Sequence, residues 1–176
     1  RSEPSANGGI FIHTDYATMS AAFRLSKGYE IQLNSSQREK KKTGSLYAVV
    51  DLDTSPVDET KWFKVLITVR GKRIIVQIEG RTVVDYTEPE NVQRPLERAS
   101  RKLDPIGGAI ALQAHDPGST FYFKSVRLRP LSPAAVAVLA SLGGASQVFA
   151  QILDPVEVEG QPLAANVGRL MQALEF

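Results

Sequence analysis

The chain has 176 residues, 43% of them hydrophobic and 23% charged, which fits one folded domain or one domain with a small appendage. Its 21 basic and 19 acidic residues give a formal net charge of +2, so the charge gives no indication of nucleic-acid or anionic-membrane binding. No cysteine is present, which excludes disulfides, thiolate metal ligands and a cysteine nucleophile. The chain also lacks an apolar run of about 18 residues, so we expect no membrane span.

Strand-like stretches separated by turns extend from residue 9 to residue 131. In residues 28–33, apolar and polar side chains alternate strictly. Because successive side chains of a strand point to opposite faces, this alternation places Glu30 and Gln32 on one face. Other stretches predicted as strands are residues 9–13, 45–51, 108–113 and 121–129.

The clearest pattern lies between residues 61 and 86. Three stretches rich in β-branched residues follow one another, with short turns at Gly71 and Gly80. This arrangement predicts an antiparallel meander. Since regular short strands have no helical pattern between them, the pattern indicates an all-β sandwich or barrel. Of these we predict the antiparallel β-sandwich, over residues 1–131.

The composition changes after Leu131. Ser132 followed by Pro133 is typical of a helix start, and an alanine-rich stretch follows them. Apolar residues at helical spacing also recur between Leu163 and Phe176. We therefore predict a short helical tail, or the start of a second domain, over residues 132–176. Its three predicted helices cover residues 134–142, 145–153 and 163–176.

Polar groups suited to chemistry are dispersed over the predicted strands. His115 and Asp116 directly follow the strand that ends near Gln113, and an imidazole with its ordinary pKa of about 6.5 can accept a proton at neutral pH. Tyr47 could join Glu30 from a neighbouring strand. Such a sheet face suits a polyhydroxylated ligand, because each hydroxyl both donates and accepts hydrogen bonds.

The same residues also have purely structural interpretations. A single glutamate on a strand face, such as Glu30, is commonly solvated or paired with a lysine. Asp116-Pro117-Gly118 is a common turn sequence, in which the Asp side chain binds the backbone and glycine supplies a positive φ. Residue spacing alone therefore does not decide whether His115 is functional.

Five stretches, taken in chain order, share residues with one known family. They are residues 7–12 (Asn-Gly-Gly-Ile-Phe-Ile), 28–33 (Gly-Tyr-Glu-Ile-Gln-Leu), 43–47 (Thr-Gly-Ser-Leu-Tyr), the meander, and 110–116 (Ile-Ala-Leu-Gln-Ala-His-Asp). Together they resemble the bacterial 3-keto-disaccharide hydrolase family. The resemblance implies a concanavalin-like jelly roll, often in secreted or periplasmic proteins, and carbohydrate as the partner.

The resemblance also implies a reaction: cleavage of glycosides already oxidised to a ketone at carbon 3 of the sugar. That ketone acidifies the hydrogen on carbon 2, which His115 or Glu30 could remove as the base. The aglycone then leaves from carbon 1, and water adds back. Gln113 or Tyr47 could hydrogen-bond the enolate oxygen. The implied substrate-binding residues are Gln32, Tyr47, His13 and Asp116.

This sequence departs from the family in two places. His13 stands where the family usually has an arginine, so the contact made there differs. The family also has several strands before the stretch at residue 7. We therefore expect this chain to lack N-terminal strands, with a lost segment or another chain completing the sheet.

Three functions remain open on this basis: an enzyme acting on 3-keto sugars, a non-catalytic carbohydrate-binding module, and an interaction domain. The enzyme requires His115, Glu30 and Gln113 to converge, whereas the binding module requires only an exposed aromatic platform beside polar groups. No cofactor is predicted. A divalent metal stays open because Asp116, Glu30 and His115 could donate to one, although no recognised ligand spacing is present.

Overall fold

The computed structural model describes residues 1–14, 27–105 and 108–129, together with the strands at 163–164 and 170–174. The chain divides into two compact units, residues 1–122 with 162–175, and residues 123–161 with 176. In the second unit only residues 123–129 are described, and they contain no helix or strand. In the described part of the chain, no helix has the length and apolar character needed to cross a membrane.

The first unit consists of antiparallel strands. Its first sheet has the order β2-β1-β6-β9, its second sheet has the order β3-β4-β5, and β7 pairs with β8. A single turn of 3₁₀ helix, Leu96–Arg98, lies in the connection between β5 and β6. The strands are β1 (Asn7–Thr14), β2 (Tyr29–Asn34), β3 (Val65–Arg70), β4 (Arg73–Ile78), β5 (Arg81–Thr87), β6 (Ala109–Ala114), β7 (Thr120–Phe121), β8 (Leu163–Ala164) and β9 (Leu170–Leu174).

The hydrophobic core lies between the first and second sheets. Tyr29 and Ile31 of β2 alternate inward and are at most 1% exposed, as the pattern of residues 28–33 predicted. The second sheet contributes mainly β-branched side chains, which pack well on a pleated surface. The cluster comprises Ile12, Tyr29, Ile31, Leu46, Ile74, Val76, Ile78 and Val84. The predicted all-β antiparallel sandwich and its meander are confirmed.

Two predicted strands are wrong in whole or in part. Residues 45–51 fold back on themselves instead of extending, because Ala48 has a φ of 59° and Val50 N donates to the Leu46 carbonyl. The strand predicted over residues 121–129 ends at Phe121. Tyr122 N still bonds to the Arg1 carbonyl, but no described strand lies beside the residues that follow.

The helix predicted over residues 163–176 is also wrong where the structure describes it. Residues Leu163–Ala164 and Leu170–Leu174 are strands, and β9 pairs with β6 in a register that sets Met171 opposite Gln113. The free edge of β6 offers unpaired backbone groups, and pairing with them outweighs the local preference of five residues for a helix. The helices predicted over 134–142 and 145–153 lie outside the described residues.

Candidate functional site

The first sheet buries polar side chains on the face opposite the core. The central strand β1 sets the register, because Gly9 lies opposite Gln32 of β2 on one side and Gln113 of β6 on the other. Glu30 precedes Gln32 by two residues, so it lies on the same face, opposite Phe11. We call Asn7, Glu30, Gln32 and Gln113 the polar face; they are respectively 7%, 8%, 1% and 1% exposed.

His115 is tied to this polar face through Asp116 and Asn7. Its Nδ1 lies 2.6 Å from Asp116 Oδ1, and Asn7 Nδ2 donates to the other carboxylate oxygen at 3.2 Å. The His115 backbone N–H also donates to the Asn7 carbonyl at 2.8 Å. Because Asp116 engages Nδ1, Nε2 is the ring nitrogen available to a ligand.

These contacts hold Asp116 in its ionised form. Burial acts to raise the pKa of Asp116, but hydrogen bonds from His115 and Asn7 outweigh it and keep that pKa below its ordinary value. A depressed carboxyl pKa stabilises the fold above the unfolded-state value of about 3.9, and that contribution disappears as the pH falls through the folded-state value.

We therefore expect Asp116→Asn to destabilise the fold at neutral pH, with a difference from the wild type that shrinks below about pH 4. The loss should stay under about 1 kcal/mol, because Asp116 is partly exposed and solvent screens its interactions. Urea unfolding of both proteins at several values between about pH 3 and pH 7 measures the difference in their free energies of unfolding. A stability difference that does not vary with pH would contradict the linkage.

Gln32 extends the same set of contacts to Glu30. One end of its amide lies 2.9 Å from Asn7 Oδ1. The other end lies 3.2 Å from Glu30 Oε1 and 3.1 Å from the Gly8 carbonyl oxygen. A continuous chain of close polar contacts therefore runs from Glu30 through Gln32, Asn7 and Asp116 to His115.

Tyr47 contacts Glu30 through its backbone and is not on a strand. Its backbone N–H donates to the Glu30 carbonyl at 2.9 Å, and its hydroxyl donates to Glu39 Oε2 at 2.9 Å. Burial, followed by the Glu39 hydrogen bond, raises the pKa of Tyr47. The phenol therefore stays protonated at neutral pH and remains a hydrogen-bond donor.

Arg101 completes the site from the connection between β5 and β6, which we call the arginine loop (residues 88–105). Arg101 Nη2 lies 3.7 Å from Glu30 Oε2, and its Cζ lies 5.2 Å from the centre of the Phe11 ring. Arg98 of the same loop lies 5.0 Å from the centre of the Tyr47 ring. Sequence analysis missed both arginines because the loop has no periodicity that would fix the position of its side chains.

Buried hydrogen bonds hold the arginine loop on the core. Glu88 Oε2 accepts from Tyr29 Oη at 2.6 Å and from the Leu103 backbone N–H at 2.9 Å. Arg94 Nη2 donates to the hydroxyls of Tyr29 and Tyr86, each at 2.8 Å. Both parts of the loop are thus fixed to Tyr29, whose neighbour Glu30 lies on the polar face.

His13 contacts the arginine loop, whereas Gln113 lies on the polar face. His13 Nδ1 lies 3.0 Å from the Asp104 carbonyl oxygen, at an irregularity of β1 where His13 has a φ of 54°. Its ring therefore contacts the arginine loop. Gln113 lies on the polar face, and among the described residues its buried Oε1 has no hydrogen-bond partner. That oxygen is a buried acceptor that the described residues leave unsatisfied.

The described residues contain no group of three or more His, Asp or Glu side chains placed to hold a metal ion.

Asn7 is a further functional candidate that sequence analysis missed, besides Arg98 and Arg101. It belongs to the family-like segment at residues 7–12, but its two side-chain partners, Gln32 and Asp116, come from separate parts of the chain. Only the strand register brings them together.

Gly9 leaves space for Glu30. A Cβ at this position would lie 2.8 Å from both Cγ and Oε1 of Glu30 and 3.1 Å from the Ile31 carbonyl. We expect Gly9→Ala to displace Glu30 and to slow about 10²-fold the reaction proposed below for this site, since small displacements of a reacting group have effects of that size. Steady-state kinetics in wild-type and Glu30→Gln backgrounds tests this prediction. A full additional loss in the Glu30→Gln background would show that the alanine acts elsewhere.

The fold and this face define an antiparallel β-sandwich domain with a buried polar site on one sheet. The chain belongs to the family of 3-keto-alpha-glucoside-1,2-lyase-like domains, whose model matches residues 1–129 of 176. It is therefore a carbohydrate-active domain, in agreement with the resemblance found in the sequence. No curated protein and no solved structure matches the chain.

Proposed function

We propose that this protein cleaves the glycosidic bond of 3-keto glycosides through elimination followed by hydration. The observation that carries the proposal is that Glu30 and Gln113 lie on either side of Gly9 on the polar face, and that His115 joins the end of this face through Asp116 and Asn7. These are two groups able to exchange protons and one amide, and sequence analysis required all three to converge. The strand register puts Glu30 and Gln113 on one face although they are far apart in the sequence, which supports the proposal.

His115 acts as the base in this scheme. Asp116 orients its ring through Nδ1, so Nε2 takes the hydrogen from carbon 2 of the sugar. The electrons of the broken C–H bond delocalise onto the carbon 3 oxygen as an enolate. They then form the double bond between carbons 1 and 2 as the bond from carbon 1 to the aglycone oxygen breaks. Glu30 gives that oxygen a proton. Water then adds its hydroxyl to carbon 1 and its hydrogen to carbon 2.

The developing enolate at the carbon 3 oxygen needs hydrogen-bond donors. Gln113 Nε2 is a neutral donor on the polar face, and the guanidinium of Arg101 is a charged one. Tyr47 donates only after its hydroxyl turns away from Glu39. Preorganised donors of this kind stabilise charge that appears only in the transition state. Arg101 faces Glu30 at 3.7 Å, so a sugar bound to Glu30 lies within its reach.

The test is a turnover assay with a 3-keto glucoside that carries a chromogenic aglycone, with and without a chelator. We expect release of the aglycone from the 3-keto glucoside and none from the same glucoside without the ketone, because only the ketone acidifies carbon 2. Loss of activity with chelator, restored by a divalent cation, would add a metal to the scheme. Equal release from both glucosides would contradict proton abstraction from carbon 2.

One observation favours a second candidate, a carbohydrate-binding module. Trp62 is 54% exposed and lies beside Arg1, whose Cζ is 5.6 Å from the centre of its ring. An exposed indole can stack on a sugar face. Binding of the unoxidised sugar, lost in Trp62→Ala and without turnover of the 3-keto glucoside, would favour this function over the enzyme.

A further inference from the structure

Arg94 stands where the arginine loop meets the core. Its Nη2 donates to the hydroxyls of Tyr29 and Tyr86, each at 2.8 Å, and its Cζ lies 5.6 Å from the centre of the Tyr29 ring. Its Nε donates to the backbone carbonyl oxygen of Arg101 at 3.1 Å. One guanidinium therefore connects two phenols of the sandwich to the backbone of a residue further along the loop.

The two ends of this connection belong to opposite faces of β2. Tyr29 and Glu30 are successive residues of that strand, so their side chains point to opposite faces. Tyr29 is part of the hydrophobic core, whereas Glu30 lies on the polar face. Because Arg94 contacts Tyr29 and Arg101 contacts Glu30, the arginine loop reaches both faces of the strand.

A second contact fixes the loop just after Arg101. Glu88 Oε2 accepts from the Leu103 backbone N–H at 2.9 Å and from Tyr29 Oη at 2.6 Å. Since the one hydroxyl hydrogen of Tyr29 goes to Glu88, its oxygen accepts the hydrogen bond from Arg94. Arg94 and Glu88 thus bind the same phenol, and between them they hold the loop backbone at residues 101 and 103.

The Arg101 side chain is packed on the polar face. Its Cζ lies 5.2 Å from the centre of the Phe11 ring, its Nη2 lies 3.7 Å from Glu30 Oε2, and the side chain is 15% exposed. A packed side chain has little free space in which to compensate for a displacement of its own backbone. A shift of the Arg101 backbone therefore moves its guanidinium relative to Glu30.

We propose that Arg94 is a positioning residue that holds the Arg101 backbone in place and thereby sets the Arg101 guanidinium beside Glu30. The inference rests on the proposed function, in which Arg101 is the charged donor to the carbon 3 oxygen. A guanidinium suits the task because its planar fork can donate to two hydroxyls and a carbonyl at once. A lysine at position 94 would carry the same charge on a single nitrogen.

The first test needs no substrate. In heteronuclear NMR spectra of the arginine side chains, the Nε–Hε signal of Arg101 is the one missing in Arg101→Met. Glu30→Gln should shift this signal in the wild type, because it changes the group that faces the guanidinium. We expect a much smaller shift in the Arg94→Met background, where Arg101 is no longer held at Glu30. An equal shift in both backgrounds would overturn the inference.

The second test is a double-mutant cycle with the 3-keto glucoside. Arg101→Met should lower kcat about 10²-fold and Arg94→Met about 10-fold, with little change in KM, since the contact to the enolate forms only in the transition state. Once Arg101 is replaced, adding Arg94→Met should cost less than about twofold, because the residue that it positions is gone. Additive losses would overturn the inference. A variant that only destabilised the fold would lose activity by the same factor in both backgrounds.

Two milder variants test the geometry of the contact. Arg94→Lys keeps the charge without the fork, so kcat should stay low, and full activity in this variant would overturn the inference. Tyr86→Phe removes one acceptor of Arg94 and keeps the ring, so it takes the place of Arg94→Met in the cycle if that variant does not fold.

Arg81→Met is the control for the lost charge. Arg81 is exposed and begins β5, at the end of that strand away from the arginine loop. It should leave kcat within about twofold, as surface substitutions do. A loss as large as that in Arg94→Met would attribute the effect to net charge and count against the inference.

The two tests distinguish this inference from the proposed function. Absence of turnover, together with an Arg101 signal whose response to Glu30→Gln depends on Arg94, would contradict the proposed function and support the positioning role. Turnover of the 3-keto glucoside with additive losses in the cycle would support the proposed function and overturn the positioning role.

Discussion

Replacing His115 with Gln is expected to lower kcat on a 3-keto glucoside by about 10²- to 10⁴-fold, the usual contribution of a positioned base. Glutamine keeps a polar side chain next to Asp116 but cannot take a proton from carbon 2. The folded state should change little, because the His115 side chain is 33% exposed. Steady-state kinetics of aglycone release measures kcat, and thermal unfolding of the same variant measures its stability.

Asp116→Asn provides the matched comparison for His115. Asparagine can still contact Nδ1, but it can do so as a donor, which selects the wrong ring tautomer for a base at Nε2. We expect a smaller loss of kcat than in His115→Gln. Undiminished turnover in His115→Gln would remove this residue from the mechanism and leave Glu30 as the base.

Replacing Glu30 with Gln is expected to have the second large effect, and its size should depend on the aglycone. With an aglycone of high pKa, which needs a proton to leave, kcat should fall about 10²- to 10³-fold. With a nitrophenyl aglycone, which leaves without one, the loss should be much smaller. A series of 3-keto glucosides that differ only in the aglycone measures this dependence.

Glu79→Gln is the control for the change of charge. Glu79 lies in the turn between β4 and β5 and accepts a hydrogen bond from the Lys64 backbone, outside the site. It should leave kcat within about twofold for every aglycone, since surface substitutions of this kind act weakly. Equal losses in Glu30→Gln across the whole series would show that Glu30 is not the acid.

Much of the second sheet follows from local sequence. The β-branched residues of β3 to β5 favour strands. Gly71 and Gly80 have φ values of 55° and 77°, which glycine adopts easily in tight turns. These preferences act between neighbours in the chain, so one sequence was enough to predict the meander. The alternation of residues 28–33 similarly fixed which side of β2 enters the core.

Residues 45–51 and 170–174 show where local preference fails. Both segments are short, and a short apolar pattern does not distinguish a strand from a turn or a helix. Leu46 enters the core from a folded-back segment, and β9 is a strand because β6 has an edge to pair with. In both cases contacts with distant segments decided the conformation.

The sequence by itself determined the antiparallel sandwich, the family, and the shared face of Glu30 and Gln32. The alternation of apolar and polar side chains, the turn residues and the short family-like motifs are all local properties of the sequence. Only the tertiary structure placed Gln32 and Gln113 on either side of Gly9 of β1, on one face of the first sheet. It alone also connected Asn7 to Asp116 and brought Arg101 to Glu30. Strand register and loop anchoring depend on residues far apart in the chain, so the spacing of residues along the sequence does not reveal them.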